Sequence, residues 1–160
     1  MTSGAQIVAV LRGCGITHVV FIPDSETGAW EPALAAAVTP QLIRPTREGE
    51  AIAIAGGLML GGAKPLVMIQ CTGLFEAGDA LRNFVHDLNL PLPLVIGLRS
   101  YLAYQEGRTR DTCPVYTEPI LQAWKLPYTI LPKGYTAAAF DETLRKVIQS
   151  GKAGAVLLAE

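Results

Sequence analysis

The sequence predicts an α/β domain with a six-stranded, mostly parallel sheet between two layers of helices. Three observations lead there. Short apolar, strand-like runs alternate with helix-like segments along all 160 residues. The strand-like runs stay apolar while polar side chains gather at their ends, as in sheets covered on both faces. No linker-like or low-complexity stretch divides the chain and no internal repeat is visible, so residues 1–160 read as one three-layer domain.

The elements follow in order. Residues 6–11 read as a helix ending near Gly13 to Gly15. His18-Val19-Val20-Phe21-Ile22 is a β-branched apolar run stopped by Pro23, which marks a buried strand. Residues 29–38 are Ala-rich and helical, and 41–44 form a short strand. Residues 49–60 form a helix closed by Gly61-Gly62. A strand at 65–70, a helix at 75–87 and a strand at 92–98 come next. Residues 99–114 hold clustered charges without clean periodicity and read as a long loop, a place where function concentrates. The alternation resumes with a helix at 115–124, a strand at 128–131, a helix at 136–150 and a strand at 155–158.

Composition narrows the function. Half of the chain is hydrophobic and only 17% is charged, which suggests that surface is buried against another chain. A net charge of -1 with no basic cluster disfavours nucleic acid. Three widely spaced cysteines, Cys14, Cys71 and Cys113, match neither a disulfide framework nor a zinc pattern and suit a reducing cytoplasm. The first residues lack the regions of a signal peptide, and the apolar runs are too short for a membrane span.

In parallel sheets ligands bind outside the carboxyl ends of the strands. Those ends are Pro23-Asp24-Ser25, residues 45–48, Gln70-Cys71-Thr72-Gly73 and Leu98-Arg99-Ser100. Glu48 opens the helix at 49–60, which is otherwise apolar and small. It is either a helix-terminal charge, a role Glu50 can fill equally well, or a working acid/base. Arg47 is the expected ion-pair partner of either carboxylate. Gly73 after small polar residues suits either close approach to a ligand or a tight turn. Cys71 as a nucleophile would have only His18 or His86 as imidazole partner. Arg108 and Arg110 in the long loop are either solvated charges or anion-binding forks. A dinucleotide fingerprint, a Walker A loop, a nucleophile elbow and a metal-ligand cluster are all missing from the sequence.

Glu48 with Ala51, Ala55 and Gly57 resembles the glutamate helix in the pyrimidine-binding domain of thiamine diphosphate enzymes. Val20-Phe21-Ile22-Pro23-Asp24-Ser25, the strand and turn at 65–74, the run at 90–97 and Lys125-Leu126-Pro127-Tyr128 are similar to the phosphonopyruvate and sulfopyruvate decarboxylase branch. The resemblance runs from about residue 5 onward and implies the thiamine diphosphate-binding fold. It implies that Glu48 hydrogen-bonds N1′ of the cofactor's aminopyrimidine and that Gln70, Thr72 and Gly73 line the ring. Asp24, Ser25, Arg99, Arg108 and Arg110 would then face a small 2-oxo acid. Members of this family hold the diphosphate and Mg2+ on a second domain with a Gly-Asp-Gly motif and a downstream Asn. Here Gly78-Asp79 is followed by Ala80, on an expected helix. The resemblance therefore implies an α-type subunit of a self-associating hetero-oligomer, active only with a pyrophosphate-binding β-type chain. Gln70-Cys71-Thr72-Gly73 stands where the branch has Gln-Asn-Ser-Gly, and Ser100 where it has Gly, which leaves the substrate open. A non-catalytic pairing module or a carboligase subunit of the same fold are the alternatives.

Overall fold

The computed structural model describes residues 2–160. Its strands are β1 (His18–Phe21), β2 (Gln41–Ile43), β3 (Pro65–Gln70), β4 (Pro93–Leu98), β5 (Tyr128–Leu131) and β6 (Gly154–Ala159). They form one sheet in the order β2-β1-β3-β4-β6-β5. Every pairing is parallel, so the expected mostly parallel sheet is wholly so. All six residues of β4 and of β6 are buried, the signature of strands covered on both faces.

Helices α1 (Gly4–Gly13), α2 (Glu31–Ala36) and α8 (Ala137–Gln149) cover one face of the sheet. Helices α3 (Glu48–Leu60), α4 (Cys71–Glu76), α5 (Gly78–Leu81) and α7 (Cys113–Ala123) cover the other, and α6 (Tyr101–Gln105) packs beside α7. Successive strand residues feed opposite cores, because side chains alternate across a strand. Val19 and Phe21 pack with Ile7, Leu11, Trp30, Leu34 and Phe140, whereas Val20 packs with Ala51, Ile52, Ala55, Val67 and Ile69. Among the described residues, no helix is long and apolar enough to cross a membrane.

Local departures from the sequence reading have identifiable causes. The helix expected over 75–87 starts earlier, at Cys71, so Gln70 to Gly73 is a strand end running straight into a helical turn. That helix also breaks after Glu76, and Arg82–Asp87 is wound as a π-helical segment. A Cβ on Gly56 of α3 would stand 2.6 Å from Cε1 of Phe84, so this glycine lets the π segment lie against α3. The loop expected over 99–114 contains α6, entered through Ser100 at φ 59°. Asp111 stabilises this corner by accepting from Ser100 Oγ at 2.9 Å and from the Cys113 N–H at 3.0 Å.

Candidate active site

The chain runs from β1 outward to β2 and then returns to β3 on the other side of β1. The sheet therefore has its switch point between β1 and β3, where open α/β sheets bind ligands. Three polar segments meet there: the turn after β1, the start of α3 and the start of α4.

Glu48 is the first residue of α3, and it lies against Gly73 in α4. A Cβ on Gly73 would fall 2.5 Å from Glu48 Cδ and Oε1, and closer still to Cγ. The missing side chain of Gly73 is thus the seat of Glu48. Gly73 lies inside a helix, and the group that approaches its backbone is the glutamate.

Other residues do the capping work at this helix end. Glu50 accepts from the Thr46 N–H at 2.7 Å and from Thr46 Oγ1 at 2.8 Å. Glu76 accepts from the Gly49 N–H at 2.7 Å and pairs with Arg47 at 2.5 Å. Arg47 therefore pairs with Glu76 rather than with Glu48 or Glu50. These bonds, the Gly49 N–H first and the Arg47 guanidinium second, hold the Glu76 carboxyl below its ordinary value. Glu48, half-buried, is left outside this capping network.

The remaining predicted residues separate into groups. Gln70 and Thr72 stand beside Glu48's seat, and Thr72 Oγ1 donates to Gln70 Oε1 at 3.1 Å, which leaves the amide NH2 of Gln70 to donate outward. Asp24 uses Oδ1 to accept from the N–H groups of Glu26 and Thr27 and from Thr27 Oγ1, so one of its oxygens holds the turn after β1. Ser25 beside it is exposed. Arg99 pairs with Asp111 at 2.9 Å, Arg108 folds back onto Glu106, and Arg110 is exposed. The two paired guanidiniums are already partly neutralised within their own loop.

Cys71 is fully buried, and burial pushes its thiol above the ordinary range, which disfavours the nucleophilic thiolate. No histidine activates it: His18 opens β1, at the opposite end of the strands from Cys71, bonded to Thr17 Oγ1, and His86 is stacked on Trp124. The Cys-His reading fails on this geometry. Asp79, in α5 as expected, pairs with Arg82. Among the described residues, no group of three His, Cys, Asp or Glu side chains is placed to hold a metal ion.

Sequence reasoning missed Glu76, Asp111 and Glu160. Each acts on a segment more than ten positions away or across the sheet, and only Glu160, a charge at the end of an apolar strand, left a local signal.

The fold is that of thiamine diphosphate-dependent enzyme domains. The chain superimposes on a benzoylformate decarboxylase from Polynucleobacter necessarius with a TM-score of 0.69 at 19% identity, over 99% of this chain and 30% of that one. A thiamine diphosphate-dependent 4-hydroxybenzoylformate decarboxylase from Rhodococcus jostii RHA1 matches at 0.66 and 18% identity, again over 99% and 30%.

Within that class, the chain is similar to the sulfopyruvate and phosphonopyruvate decarboxylases. It is 28% identical over 127 residues to a sulfopyruvate decarboxylase of Methanosarcina acetivorans, covering 79% of this chain and 32% of the relative. It is 24% identical over 132 residues to a phosphonopyruvate decarboxylase of Streptomyces viridochromogenes, covering 82% and 33%. The chain thus spans about a third of the length of these curated relatives. No protein-family model matches it.

Proposed function

We propose that this chain is the pyrimidine-binding part of a thiamine diphosphate-dependent 2-oxo acid decarboxylase, with a sulfopyruvate- or phosphonopyruvate-like substrate. The observation that carries this is Glu48, seated in the space of Gly73 while Glu50 and Glu76 cap its helix. A carboxylate released from capping and held at a switch point is placed to work on a ligand. The chemistry of Glu48, Gln70 and Thr72 suits the polar edges of an aminopyrimidine ring. It offers one carboxylate to a ring nitrogen and one side-chain amide to a second polar edge.

When bound, the cofactor supplies the electron sink for loss of carbon dioxide. This chain's contribution is to bind and orient the ring and to hold a proton between Glu48 and N1′. The diphosphate and Mg2+ fall to a cytoplasmic partner chain, since Gly78-Asp79-Ala80 lies in a helix and departs from Gly-Asp-Gly. Exposed Leu60, Leu88, Val115 and Tyr116 are consistent with a chain that buries surface against such a partner. Asp24 and Ser25 would face the substrate, and Arg99, Arg108 and Arg110 are the cations that would meet its anionic group.

Glu48→Gln keeps the shape and removes the exchangeable carboxylate. In the complex reconstituted with its partner, turnover is expected to fall by about 10²–10⁴-fold, the usual worth of a positioned acid/base. Turnover within a few-fold of wild type would overturn the mechanism.

A further inference from the structure

Three buried side-chain polar atoms lack a hydrogen-bond partner among the described residues: Asp24 Oδ2, Glu160 Oε1 and Tyr135 Oη. Buried polar atoms are nearly always paired, so such exceptions call for a physical cause. Asp24 Oδ2 and Glu160 Oε1 both reach into the space over Gly97 on β4. The position a Cβ would take on Gly97 is 2.9 Å from Asp24 Cγ and 2.6 Å from Glu160 Oε1, with Asp24 Oδ2 nearer still. The two carboxyl groups therefore approach to within about 5.5 Å, those two distances taken together. Any larger residue at 97 would separate them.

Two carboxylates this close cannot both ionise without cost, and a proton on either one removes the repulsion between them. We propose that Asp24 and Glu160 share one proton across the gap left by Gly97, tying the turn after β1 to the end of β6. The surroundings favour the protonated pair. Glu26, in the same turn, is buried and adds a third negative charge. Two cations act in the opposite sense, but both are exposed: Arg99, bound to Asp111, and Lys133. Burial first, then the charges of Asp24 and Glu26, push the Glu160 carboxyl up to about 7.

The shared proton makes this corner sensitive to pH near neutrality. Below that point the single proton removes the repulsion between the turn and the strand. Above it, two anions repel across Gly97 and the turn carrying Asp24 and Ser25 loosens. None of these groups belongs to the seat of Glu48, so the pair titrates with neither cofactor nor partner present.

The test is a carbon-13 titration of the side-chain carboxyls in the full chain, with Glu160 assigned through the backbone from Ala159. Thermal midpoints of wild type, Glu160→Gln and Asp24→Asn are followed over the same pH range. The expected result is a Glu160 carboxyl that titrates near pH 7 and a wild-type midpoint that declines toward neutrality. That decline should be lost in Glu160→Gln and shifted to lower pH in Asp24→Asn, where burial and Glu26 still act on Glu160. A Glu160 carboxyl titrating near the ordinary value of about 4.3 would overturn the proposal. So would a variant whose pH profile matches wild type. A midpoint raised by Mg2+ or Ca2+ in wild type but not in Glu160→Gln would make the pair a cation site and equally overturn it. The wild-type titration decides the matter even if a variant does not fold.

Discussion

Glu48 and Gly73 occupy one another's space, which makes a glycine inside a helix indispensable. Replacing Gly by Ala in a helix ordinarily stabilises it by roughly 0.5–1 kcal/mol. Here the added methyl would meet Glu48 at Cγ and Cδ, in the body of its side chain and not at a flexible tip. Overpacking of that kind costs about 1–3 kcal/mol, so the clash outweighs the helix gain. Gly73→Ala is expected to lower the denaturation midpoint and to drive Glu48 from its seat. Its turnover in the reconstituted complex should drop as far as that of Glu48→Gln. Wild-type stability together with wild-type turnover would show that the contact is unimportant. The sequence made Glu48 visible, because an acid opening an apolar helix stands out locally. It could not reveal Gly73 as the seat or Glu76 as the cap, because those residues meet across 25 and 27 positions.

At the scale of elements, four helices close with the same backbone device. After α1, α3, α6 and α7 an N–H reaches back to a carbonyl five residues earlier, as in Ile16 to Leu11, Ala63 to Leu58, Arg108 to Ala103 and Leu126 to Leu121. The residue before each donor is in the left-handed region. It is Gly15, Gly62 and Gly107 in three cases, but Lys125, at φ 52°, after α7. Lys125 is exposed, so its side chain contributes little packing to offset the strained backbone. Lys125→Gly is expected to raise stability by roughly 0.5–1 kcal/mol, read as an upward shift of the denaturant midpoint at unchanged slope. A lower midpoint would refute this account of the helix end. The Gly stops after α1 and α3 were legible in the sequence, whereas α6 lay in an expected loop and the Lys stop was not legible, because nothing local marks a lysine for positive φ. The π segment was hidden for a similar reason, since it depends on Gly56 admitting Phe84 from a distant stretch.

For the whole molecule, charge placement fixes how stability responds to pH. Glu76, Asp111 and Asp141 are held below their ordinary values, chiefly by the Gly49 N–H, the Cys113 N–H and the Arg145 side chain respectively. A carboxyl depressed in the folded state supports folding above its unfolded pKa and loses that support as pH falls through the folded value. Glu160 acts in the opposite sense. Its raised carboxyl supports folding fully below about 4.5 and loses that support as pH rises to about 7. The chain alone should therefore be most stable in mildly acid buffer, with an acid limb below about pH 4 and a separate decline toward neutrality. Thermal melts across pH would show both limbs, and Glu160→Gln should erase only the second. The sequence by itself determined the layered α/β class, the six strands and which strand ends carry polar side chains. Those properties follow from hydrophobic runs and helix stops a few residues long, and local steric and solvation preferences decide them. Only the tertiary structure decided the strand order, the seating of Glu48 on Gly73 and the meeting of Asp24 with Glu160 over Gly97. Each requires segments far apart in the chain to be packed side by side, and the local pattern of residues does not specify which partners will meet.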